Sequence, residues 1–235
     1  MPVRLFIPEF SGIRVIRCSP PSWMAQLALA EKGVHAEYVV LDFNKGEHKT
    51  PEMLARNPRG TIPVLEHDGA CVHETLAILQ YIDQQLPGPP ITPEAHRART
   101  LTWLHETAYV KNRGMDLFAY LMRHPPDGRD PSEVTRMTQA FAGELTIWDG
   151  RLPEPGSAPD EPLSTLGLAG LCLFTYAETA RWLGFAFDAL PRLAHFCATM
   201  AKRASARASW PQAWRQADGE RPLAAAQPAG EGSAG

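Results

Sequence analysis

The fold of this chain is decided by the stretch Asn57–Leu86, NPRGTIPVLEHDGACVHETLAILQYIDQQL. Its first residues, Asn57–Gly60, are typical of a turn, because proline fixes one φ and glycine can adopt a positive one. Val64 and Leu65 favour a strand, and Asp68-Gly69 indicates a two-residue hairpin. After the hairpin, an amphipathic helix with Thr75 as N-cap is predicted from apolar residues that recur every three to four positions. These apolar residues are Leu76, Leu79, Ile82 and Leu86.

Pro63 stands at the first position of the predicted strand. A proline cannot donate to the strand ladder, so it belongs at the start of a strand or on an edge. Two forms fit this position. One is an ordinary trans turn proline, and the other is a cis proline that exposes the backbone of Ile62 to a ligand; cis bonds make up about 5–6% of X–Pro bonds.

The residues before this stretch add alternating strands and helices. Strands are predicted at 3–7 and 37–41. A helix is predicted to begin at Ser22 and to end before Gly33, and a short helix is predicted at 51–56. A strand–helix–strand unit of this length favours a parallel pair with a right-handed crossover. The order strand, helix, strand, helix, two strands, helix is the thioredoxin-like arrangement, predicted here for residues 1–87.

The second half of the chain is helical in pattern. Residues 88–93 form the predicted linker, since the prolines of the run PGPPITP exclude a continued helix. Helices are predicted at about 94–122, 131–148, 163–183 and 191–208, with a short final turn at 210–214, and the all-helical domain spans 94–217. Residues 218–235 cannot bury enough apolar surface and are predicted to be a disordered tail. The fold class is therefore α/β + all-α, an N-terminal thioredoxin-like domain followed by a C-terminal α-helical bundle domain.

Composition excludes several classes of protein. The net charge of −3 gives no electrostatic basis for binding nucleic acid or an anionic membrane. No apolar run approaches the ~20 residues that a spanning helix needs. The four cysteines lack metal-ligand spacing and suit reduced thiols in the cytosol. We therefore expect a cytoplasmic protein with no metal, no nucleic-acid partner and no membrane partner. The cysteines are Cys18, Cys71, Cys172 and Cys197.

Three runs, GTIPVL at 60–65, DG at 68–69 and HETLAILQYI at 73–82, together resemble the glutathione-binding half of cytosolic glutathione transferases. In that family the proline is cis, which implies that Ile62, before Pro63, pairs through its backbone with the glutathione cysteine. The acidic-hydroxyl pair at the helix start, here Glu74-Thr75, holds the γ-glutamyl end. Threonine replaces the more usual serine but keeps the hydroxyl. The resemblance covers roughly residues 1–215, is strong over 25–86, and implies glutathione as co-substrate.

The helical half departs from the family pattern at one point. The family usually has a Ser/Thr-x-x-Asp capping box inside a buried sixth helix, and the matching run here is Gly167–Phe174. Both capping positions, Gly167 and Gly170, are glycine, so the reciprocal hydrogen bonds of the box are absent. Losing such a cap typically costs ~1 kcal/mol, and we expect packing to hold this helix instead.

The loop 17–23 must supply the group that activates the glutathione thiol. A thiol of pKa about 8.5 is only a few per cent thiolate at neutral pH, so it needs a hydrogen-bond donor near a helix N-terminus. The run Ser19–Trp23 resembles the Ser-x-x-Ser-Trp run of zeta-type transferases, whose first serine activates the thiol. The resemblance therefore implies Ser19 as the activator.

Other assignments remain open. Cys18, beside Arg17 at a helix N-terminus, could have a depressed pKa and form a mixed disulfide, as omega- and beta-type members do. The protein would then be a glutathione-dependent thiol transferase. Ser11, Ser22, a tyrosine or no activator also stay open, because about six extra residues, roughly 9–14, precede the loop. A non-catalytic glutathione-binding or regulatory protein on the same scaffold is the third hypothesis.

The remaining site predictions concern the glycyl end of glutathione and the pocket for the second substrate. Lys49 stands where the family places a basic or amide residue for the glycyl carboxylate; a solvated lysine is the alternative. His105, Tyr109 and Arg113 share a helix face by their four-residue spacing and could line a pocket for an aromatic or anionic electrophile; a plain amphipathic face is the alternative. The resemblance implies a homodimeric detoxification enzyme that directs the glutathione thiolate at a small, hydrophobic electrophile.

Overall fold

The computed structural model describes residues 2–9, 16–157, 163–215 and 219–224. Its N-terminal half contains a four-stranded sheet in the order β2-β1-β3-β4. β1 runs parallel to β2 and antiparallel to β3, and β3 and β4 form the predicted hairpin. The parallel pair joined through a helix and the thioredoxin-like arrangement are confirmed. The strands are β1 Val3–Glu9, β2 Ala36–Asp42, β3 Val64–His67 and β4 Ala70–His73.

Three helices flank this sheet, α1 Pro20–Glu31, α2 Pro51–Arg56 and α3 Thr75–Gln85, with a 3-10 turn at Glu47–Lys49 before α2. Successive side chains of β1 point to opposite faces. Leu5 lies in the main core with α1 and α3, whereas Phe6 packs with Met53 of α2 in a smaller cluster. Because apolar residues cover both faces, the sheet is a rigid base for the loops at its edge.

The helical domain follows a linker that ends in a 3-10 turn at Glu94–His96. Its central helix, α7, is buried along nearly its whole length, as its apolar sequence predicts. Within the described residues, no helix is long and apolar enough to cross a bilayer. A further 3-10 turn lies at Pro126–Gly128. The helices are α4 Arg97–Arg123, α5 Pro131–Asp149, α6 Leu163–Leu166, α7 Leu168–Trp182, α8 Pro191–Lys202, α9 Ala204–Ser209 and α10 Gln212–Arg215.

Two of the predicted helices are each divided in two. The helix predicted at 163–183 breaks at Gly167, which has φ 53° and ψ −137°, a conformation suited to glycine. Its N-cap makes no side-chain hydrogen bond, which confirms that the capping box is absent. A Cβ at Gly167 would lie 3.3 Å from the Cα of Thr92, so the linker packs on the break. The helix predicted at 191–208 breaks at Arg203, whose guanidinium turns to Glu31.

The prediction of a disordered tail is wrong for residues 219–224. Leu223 is 0% exposed, and its N–H donates to the Leu183 carbonyl over 3.0 Å. The guanidinium of Arg129 pairs with Glu220 at 3.0 Å. Composition could not show this, because the segment is anchored by one leucine, at the residue that follows α7, and by one ion pair, in the loop between α4 and α5. Residues 216–218 and 225–235 lie outside the described residues.

The two domains meet along α1. The ring of Trp23 contacts Phe174, Trp210 and Trp214 at centroid distances of 5.5, 5.4 and 5.3 Å. At the far end of α1, both carboxylate oxygens of Glu31 accept hydrogen bonds from Arg203 at 2.7 Å. Because α1 is held at both ends, the position of its first turn is fixed relative to the helical domain.

Candidate functional site

The peptide bond between Ile62 and Pro63 is cis, as the family resemblance implies. The buried side chain of Asn57 fixes the preceding turn, because its Nδ2 donates to the carbonyl and the hydroxyl of Thr61 over 2.7 and 2.9 Å. The ladder between β1 and β3 begins at the pair Phe6 and Val64. The backbone of Ile62 therefore lies before the first residue of the ladder between β1 and β3.

Helix α3 begins at Thr75, and its N-cap is Glu74. The prediction that Thr75 caps this helix is wrong by one residue. Glu74 has φ 67° and ψ 119° because the chain passes directly from β4, which ends at His73, into the helix. Its side chain makes no capping hydrogen bond. The first N–H groups of α3 thus lack a side-chain cap, at the end of the helix where partial positive charge favours an anion.

Helix α1 begins differently, with Ser19 as its N-cap rather than Ser22. The hydroxyl oxygen of Ser19 accepts a hydrogen bond from the N–H of Ser22 over 3.3 Å. That contact uses a lone pair of the oxygen and leaves the hydroxyl proton to donate elsewhere. Pro20 and Pro21 occupy the first helical positions, where a missing N–H has no cost. Ser22, three residues after the cap, is buried.

The thiol of Cys18 is buried and faces the helical domain. Its Sγ lies 3.7 Å from the hydroxyl oxygen of Thr179 on α7. Burial raises the pKa of this thiol to about 12, and the hydrogen bond with Thr179 offsets only part of that rise. The expectation of a depressed pKa at Cys18 is therefore wrong, because the neighbouring helix removes the sulfur from water. Ser11, another open activator, lies outside the described residues.

A cavity of about 150 Å³ lies where the first turns of α1 and α3 approach the helical domain. Pro21 and Met24 of α1 line one side, and Glu74–Leu76 line the adjacent side. The opposite wall comes from α4 and α7. The described residues contain no group of three or more His, Cys, Asp or Glu side chains that could hold a metal ion. The arrangement suits an organic ligand that lies across both helix starts.

Known proteins resemble this chain in sequence. A family model described as glutathione S-transferase, N-terminal domain, matches residues 15–84. Glutathione S-transferase A of Pleuronectes platessa is 28% identical over 201 residues, which cover 83% of this chain and 89% of that protein. Maleylacetoacetate isomerase of Rhizobium meliloti (strain 1021) is 30% identical over 174 residues, which cover 69% of this chain and 78% of the isomerase. This chain belongs to the glutathione S-transferase family.

Solved structures of the family share its fold. The glutathione S-transferase of the Antarctic clam Laternula elliptica matches with a TM-score of 0.78 at 23% identity, over 97% of this chain and 100% of the clam chain. A structure of Ure2p in complex with glutathione matches with a TM-score of 0.72 at 21% identity, over 88% of this chain and 97% of Ure2p. These likenesses establish the fold of the transferase, and glutathione is the co-substrate of its family.

The side of α4 that reaches the cavity was not predicted from the sequence. His105, Tyr109 and Arg113 share a face as predicted, but all three are exposed and none lines the cavity. Instead the transferase presents Thr107 and Lys111, which share the same four-residue spacing. Periodicity finds both faces of the helix, but only the packing of α4 against α7 decides which one turns inward.

Lys49 lies beside the turn that precedes the cis proline. Its ammonium group is exposed and lies 3.5 Å from the carbonyl oxygen of Arg59. A Cβ at Gly60 would lie 2.9 Å from the Lys49 Cδ, so this glycine, with φ 57°, allows the lysine to lie across the turn. The side chain is therefore available beside the cis-proline loop of the transferase.

Proposed function

We propose that this transferase binds glutathione along Ile62 and the start of α3, and directs its thiolate at a small, hydrophobic electrophile. The backbone of Ile62 pairs with the cysteinyl residue of glutathione. Glu74 accepts from the α-amino group, and Thr75 with the first N–H groups of α3 binds the γ-glutamyl carboxylate. The observation that carries this proposal is the cis Ile62–Pro63 bond beside a helix N-terminus with no side-chain cap.

Ser19 is the activating residue in this proposal. Its hydroxyl is half-buried at the first turn of α1, and its proton is not used by the cap. A hydrogen bond to a charged group contributes about 1.5–3 kcal/mol, which lowers the pKa of a thiol by about 1–2 units. From about 8.5, such a decrease makes a large fraction of the bound thiol anionic at neutral pH.

Two further assignments follow from the same geometry. Lys49 binds the glycyl carboxylate, since its exposed ammonium group lies beside the turn that precedes Ile62. Disulfide exchange through Cys18 has no support, because a buried thiol with a pKa of about 12 is neutral at physiological pH.

We also propose that the transferase is a cytoplasmic homodimer. The four cysteines are free, as is usual in a reducing compartment. On the first turns of α4, Leu101 is 49% exposed beside a cleft that it shares with Gln80 and Gln84 of α3, a surface suited to a second copy. Light scattering at micromolar concentration measures the mass in solution. A monomeric mass would contradict the proposed dimer and would leave the proposed glutathione site untouched.

The test of the activator is the Ser19→Ala variant. We expect glutathione to bind with a Kd within about threefold of the wild type, because its contacts at Ile62 and Glu74 remain. The ultraviolet absorbance of the bound thiolate should titrate at a pKa about 1–2 units higher, and kcat with benzyl chloride should fall about 10- to 100-fold at neutral pH.

Two controls complete this test. Ser22→Ala removes a neighbouring buried hydroxyl, and Cys18→Ala removes the competing sulfur; both should keep the wild-type thiolate pKa. An unchanged pKa in Ser19→Ala would remove Ser19 from the mechanism. If calorimetry detected no glutathione binding to the wild type, the whole proposal would fail.

A further inference from the structure

The hydroxyl of Tyr176 has no hydrogen-bond partner among the described residues, although the residue is only 1% exposed. The ring is tightly placed. It stacks on Phe118 at a centroid distance of 6.1 Å, and a Cβ at Gly114 would lie 2.8 Å from its Cδ1. A buried polar group without a partner costs about 1–3 kcal/mol, so phenylalanine would serve the packing better. The hydroxyl therefore needs a partner that the described residues do not supply.

Tyr176 belongs to the inner wall of the cavity between α1, α3 and the helical domain. Most of that wall offers no hydrogen bond to a ligand. The hydroxyl of Thr107 already donates to the Leu104 carbonyl over 2.5 Å. The thiol of Cys172 is neutral, because burial raises its pKa to about 12. Met24 and Leu76 add apolar surface.

Lys111 supplies the one positive charge in the lining. It is half-buried on α4, one turn from Thr107, and forms no ion pair within the part of the chain that the structure describes. Burial raises the pKa of Tyr176, with further contributions from Cys172 and Cys18, so its hydroxyl stays neutral and can donate. Glu74 and Thr75, on the α3 side of the lining, serve glutathione in the proposed function. The wall formed by α4 and α7 thus offers the second substrate one neutral donor and one cation.

We propose that this cavity receives the far end of the second substrate, and that Tyr176 and Lys111 select a single-ring electrophile that carries a carboxylate. The Tyr176 hydroxyl donates to one carboxylate oxygen, and the Lys111 ammonium group neutralises the charge. A cavity of about 150 Å³ is large enough for a benzene-sized ring. This inference rests on the proposed function, because bound glutathione must supply the nucleophile.

A suitable probe is 4-(chloromethyl)benzoate, with benzyl chloride as the uncharged partner. In both reactions the glutathione sulfur forms a bond to the benzylic carbon, and the carbon–chlorine bond breaks. Chloride leaves with the bonding electron pair, and the thiol proton goes to water. Chloride release therefore measures both substrates in the same way, and the ratio of their kcat/KM values isolates the carboxylate.

The test compares that ratio in the wild type, Tyr176→Phe and Lys111→Met. We expect it to fall about tenfold or more in each variant, since each loses a charge-assisted contact. Lys111→Arg should restore much of the preference. Matched controls are Tyr109→Phe, which alters a tyrosine that is 62% exposed on α4, and Lys202→Met, which alters an exposed lysine on α8. Neither control should change the ratio.

An equilibrium measurement covers the case in which neither chloride is turned over. Calorimetry with 4-methylbenzoate, in the presence of S-methylglutathione, should detect binding to the wild type and weaker binding to Tyr176→Phe. Absence of binding to the wild type would overturn the proposal. So would an unchanged ratio, or a rise in the glutathione Kd of Lys111→Met, which would assign that lysine to glutathione. If glutathione itself did not bind, the proposed function would fail first.

Discussion

Helices α1 and α3 both begin beside the cavity, but the two beginnings differ. Ser19 caps α1 with its hydroxyl, which accepts from the N–H of Ser22. Glu74 precedes α3 without a side-chain hydrogen bond to the helix. The first helix satisfies part of its own N-terminus and still presents a hydroxyl proton, whereas the second leaves its N–H groups to a ligand. In the proposed function, the start of α1 serves the thiol and the start of α3 serves a carboxylate.

The start of α7 shows what an uncapped helix looks like where no ligand is expected. Gly167 precedes α7 with φ 53°, and Glu74 precedes α3 with φ 67°. Glycine adopts such a conformation at little cost, whereas a side chain there costs about 1–3 kcal/mol. Of these two residues, the strained one is Glu74, and it lies beside the cavity. The difference agrees with the proposed role of the Glu74 carboxylate, because glycine would fit this backbone better.

The largest effect is expected at Gly167. Gly167→Ala places a Cβ 3.3 Å from the Cα of Thr92 on a backbone with φ 53°, and we expect a loss of about 3 kcal/mol in the free energy of unfolding. Urea denaturation measures this, and the glutathione Kd should not change. Gly143→Ala is the matched control, since Gly143 lies within α5 with nothing near its Cβ position. A neutral Gly167→Ala would show that this helix start tolerates side chains as α3 does.

Glu74→Gly is expected to have a smaller effect, and it should change the free energy of unfolding in the opposite direction to Gly167→Ala. Glu74→Gly should weaken glutathione binding about 30-fold, or about 2 kcal/mol, because a charge-assisted hydrogen bond is lost. The same variant should raise the free energy of unfolding by about 1 kcal/mol, because glycine relieves the positive φ. Calorimetry and urea denaturation of the ligand-free protein measure the two quantities.

Glu74→Gln separates the two contributions at this position. It keeps the strained backbone and removes the charge, so binding should weaken with little change in stability. Equal stability of Glu74→Gly and the wild type would show that the backbone at Glu74 carries no strain, and the contrast with Gly167 would disappear.

Local chemistry was sufficient to predict much of the N-terminal half. The turn, the strand that begins at Pro63 and the hairpin at Asp68-Gly69 each depend on residues that are neighbours in sequence. The cis form of Pro63 was implied by the family resemblance and not by local chemistry. Helix starts were displaced, because more than one nearby residue can cap: Ser19 rather than Ser22 for α1, and Glu74 rather than Thr75 for α3. The type of element was predictable, and its first residue depended on tertiary contacts.

Predictions that required long-range packing were the ones that failed. The pKa of Cys18 is raised by burial against the helical domain, where its Sγ contacts the hydroxyl of Thr179, 161 residues away, and no local pattern contains that packing. The burial of Leu223 depends on the end of α7 in the same way. Likewise Tyr176 is an ordinary apolar-helix position in sequence. That its hydroxyl lacks a hydrogen-bond partner among the described residues depends on the packing of α4 against α7.

The smallest effect tests whether capping and catalysis are separable. Thr50 caps α2 as Ser19 caps α1, with its hydroxyl accepting from the N–H of Met53 over 3.4 Å. Thr50→Ala and Ser19→Ala should each lower the free energy of unfolding by about 1 kcal/mol, because each removes one cap. Only Ser19→Ala should also raise the pKa of the bound glutathione thiol. If Thr50→Ala raised it equally, a general loosening of the domain would explain both, and the role of Ser19 would be reduced to a helix cap.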